Sequence, residues 1–269
     1  MMTLALARMD GAYPVVLGLS GAQGSGKSTL SALLQFGLER IAGKRVAVLS
    51  LDDFYLPRTD RQALAHDVHP LCATRGVPGT HDMALMLEVL SRLLAAQDGT
   101  DTRWPLFDKL SDDRATEDHW WTFTGRPDLI VIEGWCVGLP ANRLPPWAGP
   151  INALESECDP NGVWHAWSRR QLQNHYTVLW KALDLLVGVR LPDMATVVAS
   201  RLLQEQRMQA AQDGHRAGMD EAAVWRFVEH YERMTLALWD ALPDLADLLS
   251  ERDAGFDYRA VPCRTVSTP

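Results

Sequence analysis

The eight residues Gly21-Ala22-Gln23-Gly24-Ser25-Gly26-Lys27-Ser28 read G-x-x-x-x-G-K-S. A loop of this pattern wraps nucleotide phosphates in its backbone N–H groups. Its lysine reaches the β/γ-phosphates and its last hydroxyl reaches Mg²⁺. The pattern constrains the fold only between a strand and a helix, and both flanks are present. Val15-Val16-Leu17-Gly18-Leu19 is a short apolar run suited to a buried strand, and Thr29-Leu30-Ser31-Ala32-Leu33-Leu34 continues in helical rhythm. ATP and Mg²⁺ are therefore the expected cofactors. Gly21, Ala22, Gln23, Gly24, Ser25, Gly26, Lys27, Ser28 and Thr29 are the expected nucleotide contacts, with Lys27 also serving the chemistry.

The rest of the chain fits an α/β protein. Strand and helix signals alternate: strands are expected at 15–20, 46–51, 102–107, 129–132 and 185–191. Helices are expected at 27–40, 82–97, 163–183, 193–211 and 220–241, with a Pro-rich loop at 139–150 and a weakly patterned tail after residue 250. Such alternation predicts a mainly parallel sheet with helices on both faces. The 269 residues are expected to form a single P-loop NTPase-type domain over 1–269, with inserted substrate segments and lid helices around 193–219.

Composition narrows the partners. A net charge of −8 argues against a nucleic-acid surface. Cys72, Cys136, Cys158 and Cys263 are far apart and lack metal-ligand spacing, so a reduced, cytoplasmic chain is expected. No apolar run approaches the ~18 residues of a membrane span. The expected partner is a small molecule, with oligomeric state left open. The chain lacks the N-K-x-D guanine signature and the L-S-G-G-Q transporter signature, which lowers the switch and transporter readings.

In open α/β sheets ligands sit beyond the carboxyl ends of the strands. Two of those ends carry acids: Ser50-Leu51-Asp52-Asp53-Phe54-Tyr55, and Glu133 after Leu129-Ile130-Val131-Ile132. Phosphoryl transfer to an alcohol needs aligned oxygens, a metal, positive charge and an acid to accept the hydroxyl proton. Asp52 is placed for that last role, and Glu133 is placed to join Ser28 in holding Mg²⁺ or its water. Asp53 is either a further substrate contact or the cap of a turn.

These residues carry a resemblance. The phosphate loop, the 50–57 segment and Glu133-Gly134 are similar to the phosphoribulokinase and uridine kinase superfamily. Within it the chain resembles the D-glycerate 3-kinase family. The segments in evidence are Arg75-Gly76-Val77-Pro78-Gly79-Thr80-His81-Asp82, Phe107-Asp108-Lys109 with Arg114, and Glu133-Gly134-Trp135-Cys136-Val137-Gly138. Asn152-Ala153-Leu154-Glu155, Arg201 with Gln204-Glu205, and Gly218-Met219 with Phe227 and Tyr231 also match. The resemblance implies an ATP-dependent kinase acting on D-glycerate, with kinases of a nucleoside, a pentose phosphate or a pantothenate-like alcohol, or a regulatory P-loop ATPase, as alternatives. It also implies that Arg201 stabilises the transferring phosphoryl group from the lid; the plain alternative is an ion pair with Glu205 one helical turn on.

Tyr55, Arg75, His81, Asp82, Asp108, Lys109, Arg114, Asn152 and Glu155 are, with Asp53, the candidate acceptor contacts. Asp82 is equally suited to cap the helix that follows. Asn152 and Glu155 fit either substrate recognition or loop anchoring. The chain departs from the family at Ser200, where tryptophan is usual, and at Arg169, where asparagine is usual.

Overall fold

A computed structural model describes residues 1–211, 219–261 and 263. The main sheet has six strands: β1 (Val15–Gly21), β2 (Val46–Ser50), β7 (Leu129–Gly134), β8 (Leu185–Arg190), β9 (Leu248–Arg252) and β10 (Tyr258–Val261). Their order is β10-β9-β8-β1-β7-β2, parallel except for β10, which pairs antiparallel with β9.

Alternation along each strand divides the core in two. Val15, Leu17, Leu19, Leu129, Val131, Leu185 and Val187 face α1 (Met2–Arg8) and α2 (Lys27–Ala42). Val16, Leu49, Ile130, Ile132 and Leu186 face the other way, onto α4 (Met83–Ala95), α8 (Met194–Ala211) and α9 (Glu221–Leu245). Residues such as Leu17, Ile130 and Ile132 are fully buried, each contributing about 1.5–3 kcal/mol of transfer free energy.

Between β2 and β8 the chain adds α3 (Arg58–Asp67), two short hairpins, α5 (Ala153–Cys158), α6 (Val163–Gln171) and α7 (Thr177–Lys181). The expected strand over 102–107 is split. β3 (Asp101–Trp104) pairs with β6 (Trp121–Thr124), while β4 (Phe107–Asp108) pairs with β5 (Asp113–Arg114), and neither hairpin joins the main sheet. Pro105 interrupts the run and removes a ladder donor. The expected helix over 163–183 forms, but with a π-helical turn, Leu172–Tyr176, between α6 and α7. The tail forms β9 and β10, whose edge location depends on the neighbour β8 rather than on local pattern. The lid expected around 193–219 includes α8; residues 212–218 lie outside the described ones.

β1 lies between β7, reached through the β2 side, and β8, reached by crossing back. That reversal opens a crevice at the carboxyl end of β1, where the phosphate loop sits.

Candidate active site

The donor side starts at Gly21, the last residue of β1. Gly26 caps α2 with φ +86°, a left-handed conformation suited to glycine, and no side chain bonds the first turn. The N–H groups at that helix start suit phosphate oxygens. The parallel register sets Ser50 beside Glu133. Glu133 Oε1 accepts from Ser28 Oγ at 3.1 Å and from Ser50 Oγ at 2.9 Å. Its other oxygen, Oε2, lies 3.9 Å from Lys27 Nζ and is buried without a hydrogen-bond partner. The Tyr258 hydroxyl of β10 donates to the Ser25 carbonyl at 2.8 Å, so the C-terminal hairpin braces the loop. Thr29 is exposed on the first turn of α2.

The acceptor side starts at the end of β2, where residues Leu51–Phe54 make one 3-10 turn. Lys109 Nζ donates to Asp52 Oδ2 at 2.7 Å. Burial disfavours the Asp52 carboxylate, but the ammonium groups of Lys109 and Lys27 outweigh it and hold the carboxyl well below the usual range. Asp52 thus lies under the influence of a lysine from each side of the crevice. Asp108 accepts the N–H groups of Leu110 and Ser111, shaping the turn that presents Lys109.

The 75–82 segment is zipped to this turn. The Leu56 N–H donates to the Thr80 carbonyl at 2.8 Å and the Asp82 N–H to the Phe54 carbonyl at 2.7 Å. Asp82 caps α4 through the Leu85 N–H and also accepts from Arg114 Nη2 at 3.0 Å. Arg114 Nε in turn donates to the Tyr55 carbonyl at 2.8 Å. Arg75 pairs with Asp112 and lies over the Phe107 ring. His81 stacks on Tyr55, with ring centroids 4.4 Å apart, and burial lowers its pKa to about 3. Asp52, Tyr55, Arg75, His81, Asp82, Lys109 and Arg114 therefore form one connected group next to the phosphate loop.

Three candidates have other duties. Asp53 spends one carboxylate oxygen on the Phe107 N–H and the other on Trp121 Nε1, anchoring both hairpins. Burial pushes its pKa up to about 6, against the opposing pull of the Phe107 N–H. Asn152 caps α5 and donates to the Glu229 carbonyl and to Glu232. Glu155 is buried and holds Arg233 through both oxygens, at 2.8 and 2.6 Å. Glu229 and Arg233 lie one helical turn apart on α9, on a different face from Tyr231, which contacts the Arg75 carbonyl. Asn152 and Glu155 accordingly anchor the 152–158 segment to α9, with their polar atoms occupied away from Asp52.

Arg201 pairs with Glu205, bonds Gln204 and lies 5.3 Å from the Phe227 ring centroid. The Ser200 hydroxyl accepts from Arg252 Nη2 at 2.6 Å, and Ser200 packs beside Gly24. That departure from the family pattern therefore falls on the donor side, against the phosphate loop.

Sequence reasoning did not single out Ser50, Tyr176, Arg252 or Tyr258. Trp135 and Tyr231 entered as points of resemblance; here the Trp135 indole N–H holds the Gly76 carbonyl at 3.1 Å, and the two rings pack edge to face.

No protein-family model matches the chain. The uncharacterized kinase mug58 of Schizosaccharomyces pombe is 33% identical over 225 residues, 81% of this chain and 78% of that protein. The chloroplastic D-glycerate 3-kinase of Arabidopsis thaliana is 31% identical over 230 residues, 82% of this chain, which spans 47% of the plant protein. The solved D-glycerate 3-kinase of Cryptococcus neoformans superposes with a TM-score of 0.78 at 27% identity, over 97% of this chain and 96% of that one. The phosphate loop, the acid after β2 and these matches agree: the chain belongs to the D-glycerate 3-kinase family of P-loop kinases, phosphotransferases that act on an alcohol group.

Proposed function

We propose that the protein transfers the γ-phosphoryl group of ATP to a hydroxyl of D-glycerate, giving 3-phosphoglycerate. The observation that carries this reading is the setting of Asp52, which is influenced by Lys27 of the phosphate loop and bonded by Lys109 of the hairpin turn. An acceptor seated there would meet a proton acceptor beside the phosphates and a cation suited to its carboxylate.

Transfer forms a bond from the acceptor oxygen to Pγ and breaks the bond from Pγ to the β-phosphate bridging oxygen, releasing ADP. The acceptor's hydroxyl proton passes to Asp52. With its pKa depressed, Asp52 is a weak base. That suits a loose transition state, in which the acceptor oxygen becomes acidic only as its bond to phosphorus forms.

The donor set fits Mg²⁺. The Ser28 hydroxyl and the orphaned Glu133 Oε2 offer oxygen to a hard cation. Among the described residues, no cluster of three or more His, Cys, Asp or Glu side chains could by itself hold a metal. Bound there, Mg²⁺ would neutralise charge on the β- and γ-phosphates.

Among the described residues, no helix is long and apolar enough to cross a membrane.

The test is ADP release across an acceptor panel of D-glycerate, pantothenate, uridine and ribulose 5-phosphate, with the product identified by ³¹P NMR. D-glycerate is expected to give the highest kcat/KM. Release without any acceptor would favour the ATPase reading, and a clear preference for another alcohol would replace D-glycerate.

A further inference from the structure

His81 carries a buried ring nitrogen, Nε2, with no hydrogen-bond partner. Its other nitrogen, Nδ1, lies 2.6 Å from the Tyr176 hydroxyl. That hydroxyl also accepts the Gly79 N–H at 3.0 Å. Tyr176 is fully buried, so its own proton needs an acceptor, and Nδ1 is the partner within reach. A proton on Nδ1 instead would leave the tyrosine proton buried and unpaired. The neutral ring therefore carries its proton on Nε2.

Two features of the backbone build this contact. Tyr176 is the last residue of the π-helical turn, and such turns recur at functional sites. Gly79 has φ +104°, and a Cβ there would overlap the Trp167 ring, so a glycine is what lets its N–H approach Tyr176. On its other side His81 stacks on Tyr55 and pairs with it in an isolated β-bridge. Asp52 is the charged group that acts on the ring.

We propose that Tyr176 is a positioning residue that locks His81 in the Nε2–H tautomer, so that His81 donates a hydrogen bond to a hydroxyl or carboxylate oxygen of the acceptor bound at Asp52. This rests on Asp52 marking the acceptor site, as in the function proposed above. Burial, which keeps the imidazole neutral, makes the donor insensitive to working pH.

The experiment has two arms. In the first, ¹⁵N-histidine spectra of the wild-type protein report the His81 tautomer without any substrate; the Nε2–H form is expected, and the Nδ1–H form overturns the proposal. In the second, Tyr176→Phe keeps the ring's packing and removes the lock. The KM for the acceptor is expected to rise about tenfold, the worth of one hydrogen bond, while the KM for ATP stays unchanged. In His81→Gln the donor amide does not depend on Tyr176, so adding Tyr176→Phe to it should cost no further acceptor affinity. An unchanged acceptor KM in Tyr176→Phe, an equal rise in the ATP KM, or additive losses in the double variant each overturn the assignment. The acceptor used is whichever member of the panel the wild type phosphorylates. Failure of D-glycerate alone thus refutes the substrate reading, and the tautomer and KM arms still decide this one.

Discussion

Lys109 and Asp52 form the one direct ion pair between the β4–β5 hairpin and the end of β2 among the described residues, with Nζ 2.7 Å from Oδ2. The pair brings an inserted element to the acid that the fold presents beside the phosphate loop. Lys109 also has its pKa raised, chiefly by the Asp52 charge, so both members stay ionised across the working range.

Asp52→Asn is expected to lower kcat by about 10²–10⁴-fold, the worth of a positioned general base, with nucleotide affinity retained. Calorimetric ATP titration beside steady-state kinetics checks this, and a fully active Asp52→Asn protein would remove Asp52 from the chemistry. Lys109→Met removes the charge that depresses the Asp52 pKa. The acid limb of its kcat profile is therefore expected to move to higher pH than in the wild type.

Gly26→Ala is expected to weaken nucleotide binding and to cost about 1–2 kcal/mol of stability. An L-residue would be forced into left-handed backbone at φ +86°, and its Cβ would overlap the Tyr258 hydroxyl. Trimming Tyr258 to Ala in the same chain relieves the overlap and not the backbone strain, so only part of the loss should return. Thermal unfolding and ATP affinity measure both, and wild-type values for Gly26→Ala would contradict the loop geometry.

Arg233→Met is expected to destabilise the fold by about 3–5 kcal/mol, since it leaves the Glu155 carboxylate buried and unpaired. The double variant Glu155→Leu with Arg233→Met should recover much of that in urea unfolding. Glu155→Gln should lose stability yet keep the acceptor KM. A large KM effect would return Glu155 to the acceptor site.

Asp53 carries a pH dependence of known sign. Its folded pKa of about 6 lies above the 3.8 of an unperturbed aspartate, so between these values the folded state binds more protons than the unfolded state. The stabilisation is present below pH 3.8 and lost as pH rises through about 6. The Tm of the wild type relative to Asp53→Asn should therefore fall from pH 4 to pH 6. A pH-independent difference would mean the carboxyl ionises normally.

Local pattern made several of these residues readable. The 21–28 loop is a contiguous motif whose chemistry depends on neighbours in the chain, and Asp52 and Glu133 follow short apolar runs suited to buried strands, which β2 and β7 are. The helix over 82–97 and the cap role of Asp82 were readable for the same reason, because a cap bonds a backbone group three residues away. Asp53, Asn152 and Glu155 show where that reading stops. Each was a plausible ligand by type and position, and what engages it comes from distant chain: Trp121 for Asp53, Glu229 and Glu232 for Asn152, Arg233 for Glu155.

The amino-acid sequence by itself determined the donor half of this protein: a strand, a glycine-rich loop and a helix start that bind phosphate through short-range backbone geometry. Tertiary structure decided the long-range contacts that complete the donor side at Glu133 and assemble the acceptor side around Asp52. The register that sets Ser50 beside Glu133, the π-turn that carries Tyr176 to His81, and the hairpin that carries Lys109 to Asp52 join residues 83, 95 and 57 positions apart. Such contacts depend on which faces are buried together, a property of the packed chain that no local spacing encodes.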